Sequence, residues 1–489
     1  MPHVQPLLDA IPAEMLSAAC RAARQIRSAS DAVIATHIDA DGISAAAIAE
    51  MTLRRLEIDH RTLFFKKLDD RSLSALRSDD PDLIWFTDLG SGLASKLQNM
   101  PAVITDHHRP DIGAPRERAN GQQQLSDFTR LAHVNPHLHG ISGASDLSGA
   151  GTTFIASIAV SDENADLSPL AILGSVGDLQ DQKTRRLEGL NRAVLSLSVK
   201  LGLVEAAEDI RYFGRETRPV VKMLEYSSDP YLPHITGREQ EAISFLLGLG
   251  IELKEGDSWR TWASLSEDER CTAIDALRAH LIACGRKPAT VERLTGEAYT
   301  FAHEERGSPV RDVKEFATLL NACGRHGRAE VGLRICKGDR GDALSEGYSL
   351  LRDHRSALSR ALETARAKGI KRMRHIQYFD SEDEIEETIV GTVAGMLLGS
   401  NDVDRTAPMI AFAESVEPSD IQMVKVSSRG TQELISKGMD LSVAMRDIAE
   451  RVGGVGGGHN IAAGATIPSD RRLEFLELLD ELIGSQLSR

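Results

Sequence analysis

Through the first 200 residues, short apolar β-rich runs alternate with longer stretches compatible with amphipathic helix. The pattern predicts strands over residues 31–36, 62–65, 83–87 and 102–105. Strands separated by helices make a parallel sheet, and a parallel sheet binds ligands beyond the carboxyl ends of its strands. From about residue 201 to 347 the pattern changes to longer polar, helical-looking stretches with one proline-bearing loop, 226–234. A helix-compatible segment over 348–368 then leads into strand-like runs at 375–379, 408–413 and 421–426, followed by a conspicuous glycine loop, Gly453-Gly-Val-Gly-Gly-Gly-His459. The acidic stretch 382–387 reads as a solvated helix start, where carboxylates favour the helix dipole. The expected fold class is therefore α/β: an N-terminal parallel-sheet domain over 1–200, a middle mainly helical or mixed insertion over 201–347, and a smaller C-terminal α/β domain over 348–489.

Composition narrows the function classes. A chain of 489 residues has room for two to four domains at about 100–200 residues each. The formal charge of −15 argues against indiscriminate coating of duplex nucleic acid, which relies on many Lys and Arg contacts to phosphate. It leaves open a local groove for a phosphodiester strand, particularly where bound divalent metal cancels some carboxylates. The five cysteines (Cys20, Cys271, Cys284, Cys323 and Cys336) form no C-x-x-C pair and no disulfide framework, so reduced thiols are expected. No apolar run reaches the roughly 18–20 residues that span a bilayer, and residues 1–10 lack the basic-then-apolar order of a secretory signal; a cytoplasmic protein without membrane association is expected.

Four acidic or imidazole groups fall where a parallel sheet puts its ligands. Thr36-His37-Ile38-Asp39-Ala40-Asp41-Gly42 follows the first strand and precedes a helical pattern, so two carboxylates at i and i+2 share a tight turn. Taken alone, this is equally an Asp-rich turn capping the next helix. Asp88 ends the strand over 83–87, and Asp106-His107-His108-Arg109 ends the strand over 102–105. Independent caps explain one such coincidence, whereas three in succession point to a shared pocket. Asp178 closes the apolar run Ala171-Ile-Leu-Gly-Ser-Val-Gly. Asp39, Asp41, Asp88, His107 and Asp178 together form a carboxylate and imidazole set suited to two divalent ions, and the imidazole favours Mn2+ over Mg2+.

The order D-x-D-G, lone strand-end Asp, Asp-His-His and a further Asp resembles the DHH phosphoesterase superfamily. The ending Gly456-Gly457-Gly458-His459, preceded by Ser427-Ser-Arg-Gly430, resembles the DHH-associated substrate-binding domain of its second branch. The chain length and middle insertion are most similar to archaeal RecJ-like exonucleases, including the GINS-associated nuclease type. The resemblance implies that Asp39 and Asp41 each lean to one metal, that Asp88 bridges both, and that His107 and Asp178 complete the ligands. It further implies that Asp106 orients the imidazoles, that His108 contacts phosphate or donates a proton, and that Ser148 and Gly149 line the phosphate pocket at a helix start. His37 stands two residues before Asp39, where pyrophosphatase-like relatives place a ligand four before, and is a further candidate ligand.

Across a cleft, Gly456, Gly457 and Gly458 would offer backbone N–H groups to a phosphate, with Arg429 and His459 adding charged donors; a flexible hinge is the alternative for the glycines. No Gly-Lys dipeptide exists to form a P-loop. The extra histidines of His133-Val-Asn-Pro-His-Leu-His139 are expected at the surface or against substrate. The implied function is a metal-dependent, single-strand-specific exonuclease of DNA replication or repair, binding single-stranded nucleic acid and two divalent ions. Two rivals are a phosphodiesterase of oligonucleotides or small nucleotides and a replisome scaffold partner of a GINS-like complex.

Overall fold

A computed structural model of the chain describes residues 3–488, except 79, 99, 112–130, 401–402 and 416–420. Two compact units divide it, Met1–Leu351 and Arg352–Arg489, and the boundary falls within the helix Asp342–Lys368.

The first unit is built on five strands, β1 (Asp31–His37), β2 (Asp59–Phe65), β3 (Leu83–Thr87), β4 (Ala102–Thr105) and β5 (Leu131–Val134), all parallel in the order β2-β1-β3-β4-β5. Strands β1, β3 and β4 are apolar and buried along almost their whole length, as parallel strands covered on both faces must be. From β1 the chain passes to β2 on one side and then to β3 on the other. The crevice beyond the carboxyl ends of β1 and β3 is therefore the switch point where such sheets bind ligands. Strand β2 begins before the expected 62 because it lies at the sheet edge, where Asp59, His60 and Arg61 keep access to solvent. Strand β5, unanticipated, is only four residues long.

One face of the sheet is covered by the helices Ala13–Ser28, Ala40–Arg55 and Gly149–Val160, and the almost fully buried helix Ser168–Gly177 packs on the last two. Small residues set their close approach: Ala45, Ala46, Ala47 and Ala49 are all fully buried, and Thr52 Oγ1 meets Ser157 Oγ at 2.6 Å. Between sheet and helices, Trp85 Nε1 donates to Thr105 Oγ1 at 3.0 Å, so the indole is buried without an orphaned N–H.

The region expected as a middle domain divides in two. Strands β6 (Val204–Ile210) and β9 (Thr295–Phe301) pair antiparallel and frame a separate core around Trp262, Leu246 and Leu277, which also carries the short hairpin β7 (Lys254–Glu255) and β8 (Ser258–Trp259). The following helices, Val313–Arg325 and Ala329–Cys336, return to the sheet's own core, which absorbs Phe316, Leu320 and Val331.

The second unit holds six strands, β10 (Lys371–Arg372), β11 (Gln377–Asp380), β12 (Met409–Glu414), β13 (Met423–Arg429), β14 (Val455–Gly458) and β15 (Ala462–Pro468), in the order β10-β11-β12-β13-β15-β14. Only β11 and β12 pair in parallel. The glycine run corrects the expected loop: Val455–Gly458 is an edge strand paired to β15. Glycine is depleted from strands in general, but here the helix Leu441–Arg451 presses its Met445 carbonyl against Gly456, where a Cβ would collide. The acidic stretch 382–387 is likewise not a helix start. It forms turns before the helix Val390–Gly399, and Glu382 and Glu384 are held by Lys368 at 3.1 and 2.8 Å. Among the described residues no helix is long and apolar enough to cross a membrane.

Phe154 is fully buried in the sheet's core. Phe154→Ala should lower the unfolding free energy of the first unit by about 3–5 kcal/mol, read as a lower urea midpoint, while Phe412→Ala should act on the second unit's core instead.

Candidate metal centre

Each candidate ligand enters at the end of an element that the local sequence terminates. Asp39 caps the helix Ala40–Arg55, accepting from the Gly42 N–H at 3.0 Å, and Gly42 is required because a Cβ there would strike the His37 carbonyl. Asp41, one turn in, is 2% exposed and faces the N-terminus of the helix Gly149–Val160. The Gly149 and Ala150 N–H groups donate to its two oxygens at 2.7 and 2.9 Å. Asp88 follows β3 in the left-handed region, φ 57°, an uncommon conformation for a non-glycine residue and one concentrated at functional sites. His107 and His108 follow β4, and Asp178 is the C-cap of the helix Ser168–Gly177.

These ends converge. His107 Nε2 lies 3.2 Å from Asp88 Oδ1 and 3.7 Å from Asp41 Oδ2, and His107 Nδ1 lies 3.7 Å from Asp178 Oδ2. On the other side of Asp88, His37 Nδ1 is 2.9 Å from Asp39 Oδ2 and 3.7 Å from Asp88 Oδ2. Three overlapping groups result, with ligand atoms within 4.8 Å of one another: Asp41, His107 and Asp178; His37, Asp39 and Asp88; and Asp88, His107 and His108. Asp88 and His107 are each shared by two of them. His37 thus lies within the candidate cluster although it precedes Asp39 by only two residues.

The donor set fits divalent cations. Asp88 Oδ1 is buried without a hydrogen-bond partner among the described residues, although His107 Nε2 is 3.2 Å away. That separation without hydrogen-bond geometry suits two atoms each about 2.1 Å from a common ion at adjacent coordination positions. Burial, together with the charge of Asp88, pushes the Asp41 carboxyl well above its ordinary range. A dication beside both would remove that repulsion.

Asp106 stands behind the ligands rather than among them. Its Oδ1 accepts from the His107 and His108 N–H groups and from His108 Nδ1 at 2.7, 3.1 and 2.8 Å, and its Oδ2 accepts from the Ser91 N–H at 2.9 Å. Burial alone would raise this carboxyl, but the bonds and charges of His108 and His107 hold it well below the usual range. His133, expected at the surface or against substrate, is partly buried beside Ser91. Its Nε2 contacts Ser91 Oγ at 2.8 Å, and burial pulls it down to about 4.

Several positioning groups escaped the sequence pattern. Gln180 Nε2 donates to Asp178 Oδ2 and to the Gly143 carbonyl, both at 2.8 Å, and its Oε1 accepts from Asn191 at 2.6 Å. Ser148 and Gly149, by contrast, stand at the helix start expected for them: Ser148 caps its helix through the Gly151 N–H at 3.1 Å and meets Ser175 Oγ at 3.2 Å, while Gly149 lies where a Cβ would collide with Asp88. From the helix Val313–Arg325, Asn321 Oδ1 accepts from the Ala40 N–H at 3.0 Å, Gly324 packs on the Ile38 carbonyl, and Arg325 feels the charge of Asp39. No local motif announces these three, because they lie far along the chain from the turn they brace.

The remaining candidates lie in the second unit. Arg429 ends β13 opposite Ala462, and Gly458 pairs with Ala463, so both gather at one end of that sheet. Gly456 and Gly457 lie along the same edge strand, and the exposed His459 turns from β14 into β15, exchanging backbone hydrogen bonds with Ala462.

Residues 212–295 match the DHH-CID domain and residues 374–485 the DHHA1 domain. An uncharacterised protein of Methanocaldococcus jannaschii is 29% identical over 462 residues, which is 93% of this chain and 94% of that protein. Among solved structures, RecJ from Thermus thermophilus in complex with Mn2+ shares the fold at TM-score 0.57 and 17% identity. That match covers 97% of this chain but 55% of the RecJ chain, so this chain spans about half its length. An exonuclease RecJ bound to manganese matches at TM-score 0.54 and 17% identity over 97% and 96% of the two chains. CDC45 from Entamoeba histolytica matches at 0.61 and 10% identity over 94% and 97%.

Gly324→Ala should push the His37–Asp41 turn out of place and weaken Mn2+ binding by about tenfold in calorimetric titration, with the overall fold retained by circular dichroism.

Proposed function

We propose that this DHH-superfamily protein, RecJ-like in fold, is a divalent-metal-dependent phosphodiesterase that works as an exonuclease on single-stranded nucleic acid, in the cytoplasm and in DNA replication or repair. The observation that carries the reading is the sharing of Asp88 and His107 among three ligand groups at the switch point of the sheet. Two divalent ions, Mn2+ first and Mg2+ second, held by Asp39, Asp41, Asp88, His107 and Asp178 with His37 as a sixth candidate, would supply a water of lowered pKa and neutralise charge on the phosphate oxygens.

The protein's own groups set the geometry around that chemistry. Asp106 grips Nδ1 of His108 and so turns the other ring nitrogen outward from a side chain that is half exposed. His108 Nε2 is thereby the edge that meets a phosphate oxygen or gives a proton to the leaving oxygen. Ser148 and Gly149 open the helix whose N-terminus faces the cluster; its Gly149 and Ala150 N–H groups are taken by Asp41, so these two residues line the phosphate pocket by holding that carboxylate in place. Asp41 and Asp88 are buried while Asp39 and His108 are about half exposed, so the cluster has a closed floor and an open rim. Arg429, Gly456, Gly457, Gly458 and His459 bind the substrate strand through the DHHA1 domain.

The fold shared with CDC45 favours a second reading, a scaffold beside a GINS-like replication complex. A silent scaffold has no need of the filled ligand set, which favours catalysis.

Single-stranded DNA and RNA labelled at either end should be degraded with Mn2+, more slowly with Mg2+, and not at all with a chelator. Asp88→Ala should reduce the rate to background, because it removes the carboxylate common to two ligand groups; wild-type activity in that variant refutes the site. His459→Ala should raise KM for the strand by about tenfold, the loss of one charge-assisted hydrogen bond, without changing Mn2+ affinity.

A further inference from the structure

The helix Ser168–Gly177 ends in a Schellman motif: the Leu179 N–H donates to the Val176 carbonyl at 3.1 Å and the Gln180 N–H to the Ser175 carbonyl at 3.0 Å. The motif demands a left-handed residue at the position after the cap, and Leu179 supplies it with φ 59°. Glycine is the usual occupant, since it has no Cβ to strain, and this chain uses it after other helices at Gly202, Gly250, Gly285 and Gly327. Glu57 is another non-glycine in such a place, but a solvated carboxylate needs no partner there.

Leu179 is different on two counts. Its side chain is 58% exposed, and it follows the candidate ligand Asp178 directly. Its neighbours on either side are tied down by the Gln180 Nε2 bond to Asp178 Oδ2 and the Asn191 bond to Gln180. The turn therefore directs Asp178 and Gln180 inward and leaves a large apolar group exposed directly beside a candidate ligand in the chain. Strain and exposure both disfavour leucine in the free protein, and burial against a bound molecule would offset them.

We infer that Leu179 is a substrate-contact residue, packing against the sugar or base of the nucleotide whose phosphate sits at the carboxylate and imidazole cluster; this rests on the phosphodiesterase reading above. An apolar contact of this kind tolerates any base, and it needs the base unpaired.

Leu179→Gly separates this role from a structural one, because it relieves the strain while deleting the contact. Its thermal midpoint should equal or exceed that of the wild type, Mn2+ affinity should hold, and KM for a single-stranded oligonucleotide should rise by about tenfold. Leu179→Met, of similar volume and apolar character, should restore KM to near the wild-type value. A KM within about twofold of wild type in Leu179→Gly, when the wild type is active, overturns the contact alone. A wild type that hydrolyses no oligonucleotide with Mn2+ overturns the phosphodiesterase reading and this inference with it.

Discussion

Carboxylates do not gather in a protein interior without compensation, and this site gathers Asp41, Asp88, Asp106 and Asp178 around one imidazole. The backbone supplies part of the balance. Asp41 takes two N–H groups from a helix terminus, and Asp106 takes three from Ser91, His107 and His108. Those bonds fix the strand ends and the helix starts relative to one another. Asp88 Oδ1 receives none of these backbone bonds, and a cation beside it would offset its charge. Glycines at 42, 143, 149 and 174 follow from the same constraint, since a Cβ at any of them would collide with a ligand residue or its carbonyl.

Burying those groups also shapes the packing below them. The helix that begins at Ala40 must bring Asp41 beside the start of Gly149–Val160, and only small side chains let two helices cross that closely. The run of alanines after Asp41 is thus a condition for the site as well as a core.

The parallel sheet and the cluster of candidate ligands were legible because both rest on local signals: an apolar run marks a strand, and a carboxylate or imidazole just beyond it marks a strand end. Adjacency of β1, β3 and β4 then turned separate motifs into one site. What stayed hidden depends on distant packing. Gln180 and Asn191 are ordinary polar residues until folding sets them beside Asp178. Strand β14 was unreadable for the opposite reason: glycine signals a loop, yet the helix lying on it leaves no room for a side chain at Gly456. The split of the middle region was equally invisible, since the helix Val313–Arg325 is amphipathic whether it packs on its own module or on the sheet.

That helix joins two parts of the molecule that the chain keeps far apart. At its start, Asp312 accepts from Arg215, and Glu315 accepts from the Glu216 N–H, next to the strand β6 that leads into the inserted module. Burial, with Asp312 nearby, pushes the Glu315 carboxyl up to about 7. At its end, Asn321 and Gly324 press on the turn that carries Asp39 and Asp41. A helix of 13 residues transmits displacement along its axis with little loss, because its backbone hydrogen bonds resist stretching. The root of the insertion and the turn that carries the candidate ligands therefore lie at the two ends of one helix.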